Sequence, residues 1–179
     1  MEWKMTEVQR DGVMYVRMTA RTVDNSVYLG AVKEIIEQGK QVSITLSGNS
    51  MSPFLIHGRD RIVIAPIFQP LRRGDMAIFQ RTDGRYIMHR ICKIRRNPQG
   101  QEEYYFVGDA QRVIEGPIRR EQIFGVIPKV FRKGEWIQKG DFWWDFFARI
   151  WLRIVPVRGV LRKGYQYYKR LHKSILKHD

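Results

Sequence analysis

Short runs of apolar, β-branched and aromatic residues, separated by tight turns, dominate the sequence from residue 41 to residue 130. Several turns carry glycine beside a polar or charged residue, as in His57-Gly58, Gly74-Asp75 and Asp83-Gly84. Many short strands with such turns are typical of a closed or strongly coiled antiparallel β-domain. We therefore predict a mainly β fold with strands at residues 42–46, 62–64, 76–80, 86–94, 103–107 and 122–130.

The first forty residues have a different pattern, and we treat 1–40 as a separate N-terminal segment. Residues 13–19 alternate enough for a short strand. Residues 27–38 place apolar side chains on one helical face, which predicts a helix. Ser26 is the predicted N-cap of this helix and Gly39 its C-terminal cap.

The last forty residues change character again, towards aromatic and basic side chains. From Asp141 to the end there are nine Lys/Arg and three Asp, which gives a net charge of 9 − 3 = +6. Asp145, Arg149 and Arg153 recur every four residues and so form a polar stripe along a helix. We predict that 140–179 is a basic helical appendage outside a β-domain at 41–139. Its aromatic residues either pack on that domain or enter the headgroup region of an anionic membrane.

The net charge of +14 restricts the classes of partner. Such an excess favours polyanions, either nucleic acid or an anionic membrane surface. No recognisable nucleic-acid-binding module is present, so we expect no nucleic-acid partner. The first fourteen residues lack the apolar core of a signal peptide, and no stretch has eighteen uninterrupted apolar residues. The predicted location is cytoplasmic or peripheral at a membrane.

Cysteine and histidine usage gives no metal site. Cys92 is the single cysteine, so an intramolecular disulfide and a thiolate zinc site are both excluded. No spacing of His, Cys, Asp and Glu is typical of a metal centre. We therefore predict no metal and no cofactor, and the oligomeric state stays open.

The run S-G-N-S-M-S-P at residues 47–53 carries the first sign of chemistry. It follows a predicted strand, and a serine in a glycine-containing turn can expose its hydroxyl group. Nearby backbone N–H groups can then donate to an oxyanion. On its own the run is typical either of a polar turn or of a turn that presents Ser50 as a nucleophile, which would need a base within hydrogen-bonding reach. Ser47, Asn49 and Met51 are the predicted oxyanion and substrate-binding residues.

This run is the first of several ordered blocks that together resemble the signal peptidase I and LexA-type serine peptidases. The S-G-x-S-M turn is similar to that of LexA-type repressors, and the proline after it is typical of signal peptidase I. The resemblance implies the coiled antiparallel β catalytic domain of that superfamily and a serine peptidase activity. The later blocks are G-D-M-A-I-F at 74–79, Y-I-M-H-R-I at 86–91, F-V-G-D at 106–109 and I-F-G-V-I at 123–127.

His89 stands where most bacterial members and the LexA-type repressors have lysine. In this respect the chain resembles the endoplasmic-reticulum, archaeal and sporulation-type signal peptidases, in which an aspartate of the G-D box accompanies a Ser–His pair. The resemblance implies that Ser50 attacks the carbonyl, His89 takes and returns the proton, and Asp109 orients or charges the imidazole. A histidine with its ordinary pKa predicts a rate that rises through roughly pH 6 to 7.5. We expect Asp60 and Asp75 to hold turns instead.

The resemblance implies limited cleavage of a peptide or preprotein, as in leader or signal removal, with small P1 and P3 side chains. Self-cleavage of the repressor type is disfavoured, because the sequence contains no Ala-Gly dipeptide. We keep His57, His172 and His178 out of the site, since the first lies in a turn and the others in the basic tail. The alternative is a non-catalytic, regulatory LexA-like domain that binds nucleic acid or another polyanion through its basic surface. That surface would include Arg72, Arg73, Arg95, Arg96, Arg119 and Arg120.

Overall fold

The structure is a computed structural model that describes residues 4–10, 13–19 and 25–158, and of residues 4–26 it gives the backbone alone. The described residues are mainly β, as predicted, and their ten strands form one sheet. Eight of the nine strand pairings are antiparallel, and β2 pairs with β3 in parallel. The strands are β1 Lys4–Arg10, β2 Val13–Thr19, β3 Gln41–Thr45, β4 Arg61–Ala65, β5 Met76–Gln80, β6 Tyr86–Arg96, β7 Glu102–Val107, β8 Glu115–Arg119, β9 Ile123–Arg132 and β10 Glu135–Gln138.

The long strand β9 joins the two halves of the sheet, whose order is β1-β2-β3-β4-β9-β5-β6-β7-β8, with β10 also on β9. The β4–β9 and β5–β9 pairings each shift register once, between Val63 and Ala65 and between Ile78 and Phe79. Such irregularities bend strands and increase their local twist. The six strands predicted between residues 41 and 130 all occur, whereas β1, β8 and β10 were not predicted.

The N-terminal segment belongs to the same core as the β-domain. Helix α1, Asn25–Glu37, buries Val32 and Ile36 in the main apolar cluster beside residues of β3 and β4. The parallel pairing of β2 with β3 joins the first two strands to the sheet. The described part of segment 1–40 therefore joins the same core and the same sheet as the β-domain. The helix begins at Asn25, so Ser26 lies inside it and is not the N-cap, because neighbouring residues of capping type cannot be ranked by propensity alone.

The C-terminal segment, residues 141–158, also packs on the sheet. It contains the short helix α2, Phe142–Asp145, a π-helical stretch, Phe146–Trp151, and a 3₁₀ turn, Val155–Val157. Trp144 and Phe147 are both 4% exposed and contact Phe54 ring to ring. Of the two alternatives predicted for the aromatic residues of this segment, packing on the β-domain is observed for its inner face, Trp144 and Phe147. Residues 159–179 lie outside the described part of the chain.

Candidate active site

Ser50 lies in a turn directly after β3, and contacts on both sides hold this turn in place. Gly48 adopts a left-handed backbone with φ of 94°, which a residue with a side chain rarely tolerates. Its N–H donates to Nδ1 of His57 over 3.0 Å, so His57 braces the turn. The carbonyl of Ser50 accepts from the N–H of Ala110 over 2.8 Å. The sequence thus builds a fixed turn with the serine near its middle.

His89 lies on β6 and is almost wholly buried, with 2% of its surface exposed. The ring of Phe79 packs edge-on against the imidazole, with 6.4 Å between ring centroids. Burial lowers the pKa of His89 to about 4; the field of Arg81 acts in the same direction and that of Glu115 opposes it. The imidazole is therefore neutral at physiological pH, which is the form that a general base requires.

Ser50 and His89 line one cavity of about 310 Å³ between the turn after β3 and the start of β6. Of the predicted oxyanion and substrate-binding residues, Ser47, Asn49 and Met51 also contribute to its wall, although Met51 is 1% exposed and forms part of the core. No hydrogen bond within the described residues joins the Ser50 hydroxyl to the imidazole. Catalytic hydrogen bonds are often long in ligand-free enzymes and tighten when substrate binds.

Glu115, at the start of β8, is a site residue that sequence reasoning missed. Its Oε2 atom lies 3.9 Å from Nδ1 of His89, and this buried nitrogen has no hydrogen-bond partner among the described residues. Both carboxylate oxygens of Glu115 are held by the guanidinium of Arg81, which also lines the cavity. The available signal was weak, because Glu115 stands beside Gly116 and Pro117, a pair that disfavours a strand prediction.

Asp109 occupies a different position from the one that the family resemblance implies. Both of its carboxylate oxygens are bound by the guanidinium of Arg90, over 3.2 and 3.1 Å, and both side chains are fully buried. Burial raises the pKa of the Asp109 carboxyl, and the charge of Arg90 opposes that effect. The predicted role of orienting His89 directly is thus corrected: Asp109 holds Arg90, the residue after the candidate base.

A turn at residues 108–111 contacts Ser50 through its backbone and borders the cavity that Ser50 shares with His89. Gly108 has to be glycine here, because a Cβ atom would lie 2.6 Å from the carbonyl oxygen of Ser50. Ala110 binds that same oxygen through its N–H, as given above. Gln111 contributes to the wall of the cavity that Ser50 and His89 line. The glycine of the F-V-G-D block thus permits the close approach to the serine turn, and the residue after the block, Ala110, binds that turn through its N–H.

A second, more apolar cavity of about 430 Å³ adjoins the first. The two cavities share wall residues from 46–48 and from 86–88. In this part of β6, Tyr86 to His89 pair with β5 on one edge, whereas β7 joins the other edge only from Arg90 onward. Among the described residues this stretch of β6 therefore has one edge that pairs with no other strand, and that edge borders the site.

Two predicted turn residues have the roles assigned to them. Asp75 accepts the N–H of Arg72 over 2.7 Å and so holds the turn before β5. Asp60 is fully buried and accepts the N–H of Ile56 over 2.9 Å. Neither contributes to the wall of the cavity that Ser50 and His89 line. His172 and His178 lie outside the described residues.

No protein-family model matches the chain, and no curated protein matches it either.

Proposed function

We propose that the chain is a serine endopeptidase that makes limited cleavages in a peptide or preprotein, as in leader or signal removal. Ser50 is the nucleophile and His89 the general base. The observation that carries this proposal is that the two residues line one cavity in which the imidazole is buried and neutral. A neutral imidazole can accept the serine proton as the hydroxyl oxygen attacks a peptide carbonyl.

The same imidazole then returns the proton to the leaving amine. In the second step it takes a proton from water, whose oxygen attacks the acyl-enzyme, and returns that proton to the oxygen of Ser50 as the acyl bond breaks. Both steps create a transient imidazolium inside an apolar environment. A carboxylate near Nδ1 would stabilise that charge, and Glu115 lies at 3.9 Å. We assign Glu115 this third role, with Arg81 fixing the orientation of its carboxylate.

The oxyanion of the tetrahedral intermediate needs N–H donors close to Ser50. No hydrogen bond within the described chain uses the backbone N–H of Ser50 or of Met51. Both are assigned as donors, whereas the N–H of Gly48 is already bound by His57. Fixed donors of this kind require no reorganisation during the reaction, which is why they contribute strongly to catalysis.

The proposed substrate binds as an extended segment along the free edge of β6 beside Tyr86 to His89. An extended chain there would gain backbone hydrogen bonds and would direct alternate side chains towards the cavities. The larger cavity is bordered by Ile44, Leu46 and Ile62, so it favours an apolar side chain. Recognition of backbone together with one or two side chains fits a limited number of cleavage sites.

A covalent serine probe tests the proposal directly. Wild-type protein treated with a fluorophosphonate should carry the label on Ser50, located by mass spectrometry of tryptic peptides. His89→Ala should lose labelling by at least about a hundredfold, because the hydroxyl then has no base. Ser52→Ala is the matched control, since Ser52 lies in the same turn but does not line the cavity. Labelling that is unaffected in His89→Ala, or absent in wild type, would overturn the proposal.

The same experiment bears on the non-catalytic alternative, a domain that binds polyanions through exposed arginines. Several of these arginines stand opposite acidic residues, since Arg95 pairs with Glu103 and Arg96 with Glu102 across the β6–β7 ladder. Their positive charge is thus partly offset where a polyanion would bind. We therefore favour the enzyme.

We infer in addition that the peptidase works at an anionic membrane surface. Helix α2 and the stretch after it turn one aromatic and aliphatic face outward, with Phe142 72%, Trp143 50% and Ile150 51% exposed. The exposed guanidinium groups of Arg149 and Arg153 lie on the same segment. Aromatic rings at the headgroup boundary with cations nearby are typical of interfacial helices. None of the described helices is long and apolar enough to cross a membrane.

A further inference from the structure

The turn at residues 108–111 connects the candidate nucleophile to the strand that carries the candidate base. Its Ala110 N–H binds the carbonyl oxygen of Ser50, and the side chain of Asp109 binds Arg90, the neighbour of His89 on β6. A shift of this turn would move Ser50 relative to His89. The relative position of the two thus depends on what holds the turn.

Two side chains of the C-terminal segment hold this turn by donating hydrogen bonds to the turn's carbonyl oxygens. Arg158, which is 5% exposed, donates from Nη1 to the carbonyls of Gly108, Asp109 and Gln111 over 3.0, 3.3 and 3.2 Å. Trp151 donates from its indole Nε1 to the carbonyl of Asp109 over 2.8 Å. The same arginine also binds the carbonyl of Trp151 through Nε and Nη2, over 3.2 and 2.7 Å, so the two side chains form one unit.

This pattern is unusual for packing alone, because a buried guanidinium is costly unless its donors are used. Arg158 directs its donors to the carbonyls of a single short turn and of Trp151. Apolar contacts beside it, among Val107, Leu152 and Val155, already attach the segment to β7. The apolar contacts alone would attach the segment to β7. Arg158 adds directional hydrogen bonds that hold the turn at 108–111.

We propose that Arg158 and Trp151 are positioning residues for the reaction: they fix the turn at 108–111 and thereby the distance between Ser50 and His89. This inference rests on the proposed function, and it makes residues 141–158 part of the catalytic unit. Neither side chain lines the catalytic cavity, so both act through the backbone of the turn.

Two variants and one control test the proposal with two readouts. Trp151→Phe keeps an aromatic ring but removes the Nε1 donor, and Arg158→Gln removes most donors of the guanidinium. Hydrogen exchange at the Ala110 amide should accelerate by about tenfold or more in both. The rate of fluorophosphonate labelling of Ser50, measured well below the midpoint of unfolding, should fall by about tenfold to a hundredfold, because small misplacements of reacting groups are costly.

Trp144→Phe is the matched control, since it makes the same ring exchange in the same segment and Trp144 makes no hydrogen bond to the turn. It should lower thermal stability yet leave both rates within about twofold of wild type. Unchanged Ala110 exchange in Arg158→Gln, or faster exchange with unchanged labelling, would overturn the positioning role. An equal fall in the labelling rate of Ser50 in Trp144→Phe would also overturn the positioning role. Wild-type protein that never reacts with the probe would overturn the proposed function. Hydrogen exchange at the Ala110 amide would still show whether Arg158 and Trp151 hold the turn at 108–111.

Discussion

Nδ1 of His89 lies 3.9 Å from Oε2 of Glu115, whereas both carboxylate oxygens of Asp109 are bound by Arg90. Two acidic residues six positions apart in the sequence therefore have separate functions in the proposed enzyme. Glu115 stabilises the positive charge that the imidazole gains during the reaction. Asp109, through Arg90, holds β6 and the turn next to Ser50 in position. We therefore expect the two acid-to-amide substitutions, Glu115→Gln and Asp109→Asn, to have different effects on rate and on stability.

We expect Glu115→Gln to reduce the labelling rate of Ser50 by about tenfold to a thousandfold with little change in stability, because an amide cannot stabilise an imidazolium by charge. The acid limb of the rate profile should also move to lower pH, since the Glu115 charge opposes the lowering of the His89 pKa. Glu121→Gln, on an exposed glutamate, is the control. A rate equal to wild type at every pH would remove Glu115 from the site.

Asp109→Asn should act mainly on stability. It leaves the fully buried guanidinium of Arg90 without its counter-charge, and breaking a buried pair in this way costs about 3 to 5 kcal/mol. Urea denaturation followed by tryptophan fluorescence measures the change in free energy of unfolding. If the variant were as stable as wild type and only slower, Asp109 would be acting on the reaction directly.

The pH dependence of the rate should reflect the buried environment of His89. The pKa of this imidazole is lowered to about 4, so its basic form persists well below neutral pH. The second-order labelling rate should rise with pH through about pH 4 and be level by about pH 6, whereas a histidine with its ordinary pKa would give a rise through roughly pH 6 to 7.5. An acid limb centred near pH 7 would show that the imidazole is solvated in the working enzyme.

The same low pKa makes a prediction for folding. An unfolded chain protonates His89 near pH 6.5, whereas the folded protein does so only near pH 4. Between these values the unfolded state binds more protons, so stability falls as the pH is lowered, and this residue accounts for about 3 kcal/mol of the loss. His89→Gln should lose less stability than wild type between pH 7 and pH 4. Parallel losses in both proteins would contradict the prediction.

Vesicle flotation tests the membrane surface. Full-length protein should float with anionic vesicles at low salt and detach as salt screens the attraction. Replacing Phe142, Trp143 and Ile150 together by serine should abolish flotation. A control variant replaces three exposed apolar residues elsewhere, Phe68, Val113 and Ile114, and should still float. Loss of flotation in the control to the same extent would show that binding is not specific to the C-terminal face.

Much of the sheet could be predicted from local pattern. The strands from β3 to β7 and β9 alternate or run apolar between turn residues, and these signals depend only on neighbouring positions. Strand β8 was missed because Gly116 and Pro117 interrupt it, and strand β1 because it carries no clear periodicity. The serine turn and the histidine strand were found because each has its own short motif.

The sequence by itself determined which residues could form a nucleophile and a base, and that they lie on a mainly β scaffold. Only the tertiary structure decided which carboxylate faces His89, because that depends on how β8 lies against β7 and β6. It also decided that Arg90 and Arg158 are buried and bonded to the turn at 108–111, which no local pattern indicates. Finally, it decided which aromatic residues of 141–158 face inward, since aromatic rings surround most of that helical segment and periodicity cannot choose a side. All three outcomes follow from contacts between distant parts of the chain, and local pattern carries no information about those contacts.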